Sequence, residues 1–135
     1  MIEPVFVDTQ YLLGLANPDD EWHEAAVTAA GRIRGRRVTT DAILIEFGDA
    51  MCGVYHRGEG ARAIAHLRAD PEVECVPVDR DLLDRALVLY SARSDKDWSL
   101  TDCVSFVLMA DRKIEAALTA DRHFQQAGFR ALLRG

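Results

Sequence analysis

Four acidic residues stand at the edges of apolar segments spread over almost the whole chain: Asp8, Glu46, Asp102 and Asp121. A carboxylate beside a packed apolar face is costly unless a hydrogen bond, a cation or a metal compensates its charge. If the fold brings the four together, they form an oxygen-only pocket, which favours a hard divalent cation, Mg²⁺ or Mn²⁺. The first functional hypothesis is therefore a metal site made of carboxylates.

Each acid also has a structural explanation in its local sequence. Asp8 and Asp121 each precede a helical pattern and can cap it, and Asp102 fits a capping box with Ser99. Glu46 shares a helical face with apolar residues, where a solvated glutamate is not expected, so it either pairs with an arginine or binds a ligand. Capping and metal binding are compatible, because helix N-termini favour anionic groups.

Other catalytic centres fit the chain poorly. Position 10 is Gln10, where a haloacid-dehalogenase-type phosphatase has a second aspartate, and the acidic pair and lysine of a response-regulator receiver are absent. The four histidines have no metal-binding spacing, and no Ser-His-Asp or Cys-His arrangement is visible. The attacking group is therefore expected to be a water molecule that the metal activates.

Bulk composition predicts one globular domain over residues 1–135, with 49% apolar and 28% charged residues. The net charge of -6 argues against a protein that coats nucleic acid through a basic surface, but it does not exclude a nuclease. Three isolated cysteines without C-x-x-C spacing favour a reduced, intracellular protein. We see no signal peptide and no apolar run of membrane-spanning length, so we expect a cytoplasmic protein.

The elements that must position the acids follow from apolar runs and chain breakers. Strands are predicted over residues 4–8, 38–39, 73–78, 116–119 and 129–133, and Pro77 indicates an edge strand or a strand end. Helices are predicted over residues 9–15, from a cap at 19 or 20 to 33, from 39 or 40 to 55, 79–93, 99–112 and 121–127. Gly58 and Gly60 are expected to break the pattern before a further helix that ends near Asp70.

Alternating strands and helices predict an α/β domain with a mostly parallel sheet. Ligands of such sheets bind outside the carboxyl ends of the strands. Asp8, Glu46 and Asp121 are expected at that edge, and Asp102 reaches it if its helix begins there.

These residues resemble the PIN-domain family, in particular the VapC-type ribonuclease toxins of toxin–antitoxin pairs. The resemblance is strongest in D-W-S-L-T-D-C-V-S-F from Asp97 and L-T-A-D-R-H-F from Leu118, and it includes V-D-T around Asp8 and the helix of Glu46. It implies a PIN-like fold, a sheet of about five strands with helices on both faces and the acids at its carboxyl edge.

The resemblance also implies a role for each acid. Asp8 and Asp102 are expected to bind the metal, Mg²⁺ or Mn²⁺, directly. Glu46 and Asp121 are expected to bind it directly or through water.

Three further residues match family positions near the metal. Thr9 and Thr101 are expected to orient a carboxylate or a water molecule, and Asp97 is expected as a fifth acid at the rim. The family further implies an RNA substrate, a homodimer and a small antitoxin whose basic residue enters the acidic pocket.

The leading hypothesis is a Mg²⁺-dependent endoribonuclease that acts as a toxin. The alternatives are a housekeeping PIN nuclease in RNA processing and a noncatalytic binding module. The preference for RNA is a family inference, because this hydrolysis does not need the ribose 2′-hydroxyl. The candidates for substrate contacts are arginines: Arg36, Arg37, Arg57 and Arg62, with the basic stretch from Arg32 to Arg37 read either as phosphate contacts or as a solvated helix end.

Overall fold

The computed structural model describes residues 2–135 as a five-stranded sheet with seven α-helices. The strands are β1 (Val5–Val7), β2 (Arg37–Thr40), β3 (Val73–Val76), β4 (Ala116–Leu118) and β5 (Arg130–Ala131), in the order β3-β2-β1-β4-β5. Every pairing is parallel, so all five carboxyl ends lie at one edge. The predicted α/β sheet is confirmed.

The helices connect these strands. They are α1 (Thr9–Ala16), α2 (His23–Arg32), α3 (Asp41–Ala50), α4 (Arg57–Ala69), α5 (Arg80–Ala92), α6 (Leu100–Arg112) and α7 (Arg122–Gln126), and a 3₁₀ turn (Leu132–Arg134) follows β5. The strand order reverses direction after β3, so right-handed crossovers place α1 to α4 on one face and α5 to α7 on the other. No helix within residues 2–135 is both long and apolar enough to cross a membrane.

An aromatic cluster anchors the elements that carry two of the acids. Phe106 of α6 packs edge-on against Trp98 and Phe124, with ring centroids 5.0 Å apart in both pairs. Phe124 of α7 also lies 6.3 Å from Phe6 in the central strand β1. Burial of these rings fixes the starts of α6 and α7 against the sheet.

Two predicted boundaries around α3 and α4 are wrong. α3 ends at Ala50 instead of continuing to residue 55, and α4 already begins at Arg57. Gly58 and Gly60 therefore lie inside the first turn of α4 and do not precede it. A Cβ on Gly60 would lie 2.8 Å from Cβ of Met51, so this glycine lets α4 pack against the end of α3.

Three other element boundaries differ slightly from the prediction. α2 begins at His23, and the Asp20 carboxylate accepts the Trp22 amide in the turn before it rather than capping the helix. β3 is an edge strand, as predicted, but it ends at Val76, before Pro77. The last strand ends at Ala131, because residues 132–134 turn into the 3₁₀ segment.

Candidate metal centre

A cleft of about 340 Å³ lies at the carboxyl edge of the sheet. Its lining contains all four acids from the sequence analysis, namely Asp8, Glu46, Asp102 and Asp121, and it also contains Thr9, Gln10, Leu13, Ser99 and His123. The acids come from the end of β1, from α3, from the first turn of α6 and from the β4–α7 junction. Segments that are up to 113 positions apart in the sequence thus meet in one place; this cleft is called the acid cleft below.

Asp8 is the most buried of the four, with 6% of its surface exposed. It occupies the position before α1, but its side chain caps no backbone amide, so the capping explanation is wrong. The Thr119 hydroxyl donates to Oδ2 of Asp8 at 2.7 Å. Burial nevertheless raises the pKa of Asp8 from 3.8 to about 7, and the charges of Asp102 and Glu46 act in the same direction. The site therefore holds an acid whose negative charge is not compensated.

Asp102 and Asp121 both cap helices, as the local sequence predicts. The Asp102 carboxylate accepts the Ser99 amide at 3.1 Å, and the Ser99 hydroxyl accepts the Asp102 amide at 3.0 Å, which completes the capping box. Asp121 Oδ1 accepts the His123 amide at 2.9 Å. Burial also raises the pKa of Asp102, against the opposing hydrogen bonds from the Ser99 backbone and His123. Capping holds these carboxylates at the edge of the acid cleft.

Glu46 is exposed to solvent on α3, although its helical neighbours suggested a buried face. Its hydrogen-bond partner is the Thr9 hydroxyl, which donates to Oε1. Of the two roles predicted for Glu46, pairing with an arginine is not seen within residues 2–135. Thr9 thereby fixes the direction in which this carboxylate points.

His123 is a site residue that the sequence analysis missed. Its Nδ1 lies 2.9 Å from Oδ2 of Asp102 and 3.5 Å from Oδ1 of Asp121. One ligand atom from each of these three residues falls within 4.8 Å of the others. The signal was present in the sequence as a histidine two positions after a helix-capping aspartate, because that spacing keeps the ring near the helix start.

Thr119 and Gln10 were also missed, and both brace the acid cleft. The buried Thr119 hydroxyl contacts Asp8 and also accepts the Asp121 amide at 3.0 Å, so one side chain links two of the acids. Gln10 Oε1 accepts the Ala120 amide at 2.8 Å and ties α1 to the β4–α7 junction. A threonine directly after a buried strand was the available signal.

The other expected contributors lie elsewhere. Asp97 is exposed and lines a neighbouring cleft, and Thr101 is half-buried outside the lining of the acid cleft. Arg36 pairs with Glu74 at the amino edge of the sheet, opposite the four acids. Arg37 is engaged nearby with Asp70 at 3.6 Å.

The donor set fits a divalent cation. It consists of carboxylate oxygens, one of which contacts the His123 ring, and a buried acid stands in it without a lysine or arginine beside it among residues 2–135. A bound cation would favour the charged form of Asp8, which burial disfavours.

The sequence matches the profile of the PIN domain over residues 5–130. It is 29% identical over 128 residues to the 23S rRNA-specific endonuclease VapC20 of Mycobacterium tuberculosis, in strains CDC 1551 and H37Rv; the alignment covers 93% of this chain and 95% of the relative. The crystal structure of M. tuberculosis VapC20, described as a sarcin–ricin loop cleaving toxin, is similar with a TM-score of 0.86 at 26% identity, again over 93% and 95%. A toxin–antitoxin complex from Klebsiella pneumoniae has the same fold, with a TM-score of 0.62 at 14% identity over 87% of both chains.

Proposed function

We propose that this chain, which belongs to the PIN-domain family and is of the VapC type, is a divalent-metal-dependent endoribonuclease that acts as a toxin. The observation that carries the proposal is the meeting of four carboxylates in one cleft, with a buried, uncompensated Asp8 among them. Because the relatives are named for 23S rRNA and its sarcin–ricin loop, a hairpin with that loop is the first substrate to test.

Asp8, Asp102, Glu46 and Asp121 would hold the cation, with Mg²⁺ expected and Mn²⁺ as the alternative. When bound, such a cation lowers the pKa of a water molecule and offsets negative charge that develops on the phosphate. Rigid placement of the carboxylates is then the main task of the protein itself.

The bracing residues perform that placement. The Thr119 hydroxyl orients Asp8, and the Thr9 hydroxyl orients Glu46. His123, donating from Nδ1, holds the Asp102 carboxylate, whose second contact is the Ser99 amide. Contacts of this kind keep ligands aimed and commonly change metal affinity or activity by roughly 10–100-fold when removed.

The test is cleavage of a sarcin–ricin loop hairpin and of tRNA while Mg²⁺ or Mn²⁺ is titrated against a chelator. We expect the wild-type protein to cleave only when the divalent cation is present. We expect no cleavage by Asp8→Asn or Asp102→Asn. Asp84→Asn, an exposed acid on α5, is the matched control and should cleave as the wild-type protein does. Cleavage by Asp8→Asn at the wild-type rate would overturn the site, and an inactive wild-type protein would favour the noncatalytic binding module.

Cellular role needs a separate test. A toxin should arrest growth on expression, and coexpression of a small antitoxin from a neighbouring reading frame should restore growth. Growth without arrest would favour a housekeeping nuclease in RNA processing. We also propose a homodimer, which light scattering on the purified protein measures directly.

A further inference from the structure

Two further clefts adjoin the acid cleft, each through a different shared residue. One shares Leu13 with it and lies between the α1–α2 connection and the start of α4. The other shares Ser99 with it and lies along the α5–α6 loop. An RNA strand whose phosphate is at the acid cleft can leave it over either of these flanks.

The flank at Leu13 repels a polyanion. Its lining includes the carboxylates of Asp19, Asp20 and Glu59 and contains no lysine or arginine within residues 2–135. At physiological salt, charges within about 8 Å still act on one another, so a phosphate passing here meets negative charge in addition to that of the acid cleft.

The flank at Ser99 has the opposite character. Its cleft, of about 560 Å³, is lined by Arg93 and Lys96 against one carboxylate, Asp97. Serine hydroxyls at positions 91, 94 and 99 are further groups that can donate to phosphate oxygens. Tyr90, half exposed on the same wall, offers an aromatic face to an unpaired base.

Asp95 and Asp97 balance Arg93 and Lys96 in charge, and Lys96 is the cation of this flank without a close ion pair within residues 2–135. Arg93 makes two hydrogen bonds with Asp95, at 3.0 and 3.1 Å, and stacks over the Trp98 ring at 4.9 Å. Asp95 is thus already neutralised, and Lys96 lies only at the limit of an ion pair with it, at 4.0 Å. Arg93 orders the loop, which leaves the Lys96 ammonium group available to a ligand.

We propose that bound RNA runs from the acid cleft along the α5–α6 loop, with Lys96 as a phosphate-contacting positioning residue, and not over the acidic flank. This inference rests on the proposed function, since it assumes an RNA strand at the acid cleft. It assigns Lys96 to substrate binding, apart from the groups that hold the metal.

The chain supplies a matched control, because its second lysine, Lys113, lies at the other end of α6. Thirteen helical residues separate the two ends by about 20 Å. Lys96→Gln and Lys113→Gln are compared in cleavage of the sarcin–ricin loop hairpin at several salt concentrations. Glu59→Gln serves as the variant of the acidic flank.

We expect Lys96→Gln to raise KM several-fold at an unchanged kcat. It should also reduce the dependence of log(kcat/KM) on log salt by about 0.7, which is one phosphate contact to a single strand. Lys113→Gln and Glu59→Gln should leave both quantities unchanged. Equal behaviour of Lys96→Gln and Lys113→Gln would overturn the path. A KM lowered by Glu59→Gln would also overturn it, because removing a repelling charge helps binding only where the RNA passes.

The proposed RNA path and the proposed nuclease activity can be disproved independently of each other. If the wild-type protein does not cleave, the proposed function fails, and the path is tested by fluorescence anisotropy of the labelled hairpin in chelator. Weaker binding by Lys96→Gln than by Lys113→Gln would then support it. Equal binding by the two variants, or no binding by either, would overturn it.

Discussion

The two edges of the sheet treat carboxylates in opposite ways. At the carboxyl edge, burial raises the pKa of Asp8 to about 7, and no lysine or arginine lines the acid cleft within residues 2–135. At the amino edge, hydrogen bonds from Arg112 and then Arg36 lower the pKa of Glu74 to about 2. The same chemical group is thus disfavoured as an anion in one place and favoured in the other.

Helix α6 joins the two environments. It begins with Asp102 at the acid cleft and ends with Arg112, which makes two hydrogen bonds with Glu74 at 2.8 and 3.0 Å. Asp111, beside it, is paired with Arg85. The chain therefore has arginines enough to neutralise acids, but it places them away from the acid cleft. Uncompensated charge is expected where a ligand, rather than the fold, supplies the partner.

Neutralising one acid at each edge tests most directly whether the two edges differ in function. Asp8→Asn should lower metal-dependent cleavage by roughly 100-fold or more, because it removes one of the proposed metal ligands. Glu74→Gln makes the same chemical change at the other edge and should leave cleavage intact. Single-turnover cleavage of the hairpin measures both. An equal loss in the two variants would mean that the edges do not differ in function.

The pH dependence of the free energy of unfolding distinguishes the two edges without any substrate. The pKa of Asp8 is about 7 in the folded chain against 3.8 as the ordinary value, so the folded state holds the extra proton between these pH values. The free energy of unfolding of the metal-free protein should therefore fall as pH rises from 4 to 8, by about 4 kcal/mol from this group alone.

Urea denaturation in chelator measures this slope. Asp8→Asn has no carboxyl to titrate there, so its stability should fall less over the same range. Parallel pH profiles of the two proteins would contradict a buried, uncompensated Asp8.

Most of the fold could be predicted from the sequence because short buried strands and amphipathic helices carry local signals. The boundary between α3 and α4 could not, since glycine usually ends helices and here Gly60 fits a close approach to Met51 instead. Whether that neighbour exists depends on how two helices pack, which no local pattern encodes.

The residues of the candidate site also differ in how far local sequence reveals them. The four acids could be predicted because a carboxylate at the end of an apolar segment is conspicuous. Thr119 and His123 have only weak local signals, because their roles lie in contacts across 111 and 21 positions with Asp8 and Asp102. Glu46 shows the converse error, since its helical phase suggested burial and the structure exposes it beside Thr9.

A divalent cation should stabilise the folded protein through the acid cleft and not through the amino edge. At a concentration 100-fold above its dissociation constant, Mg²⁺ or Mn²⁺ should add about 2.7 kcal/mol to the free energy of unfolding at pH 8. Thermal unfolding with cation or chelator measures this gain. Glu74→Gln should retain it and Asp8→Asn should lose most of it; a full gain in Asp8→Asn would place the cation elsewhere.

The smallest expected effect is the loss of the ion pairs at the amino edge. Glu74 and its two arginines are 28%, 54% and 40% exposed, so solvent screens much of their attraction. Glu74→Gln should lower the free energy of unfolding by about 1 kcal/mol at pH 7, and by less in high salt.

Because the pKa of Glu74 is lowered from 4.5 to about 2, its contribution is present above pH 4.5 and is lost as pH falls towards 2. Urea denaturation from pH 7 to pH 2.5 should thus show the difference between Glu74→Gln and the wild-type protein closing in acid, where the metal-free acid cleft gains stability. A difference that stays constant with pH would show that Glu74 acts through packing, and the contrast between the edges would then rest on Asp8 alone.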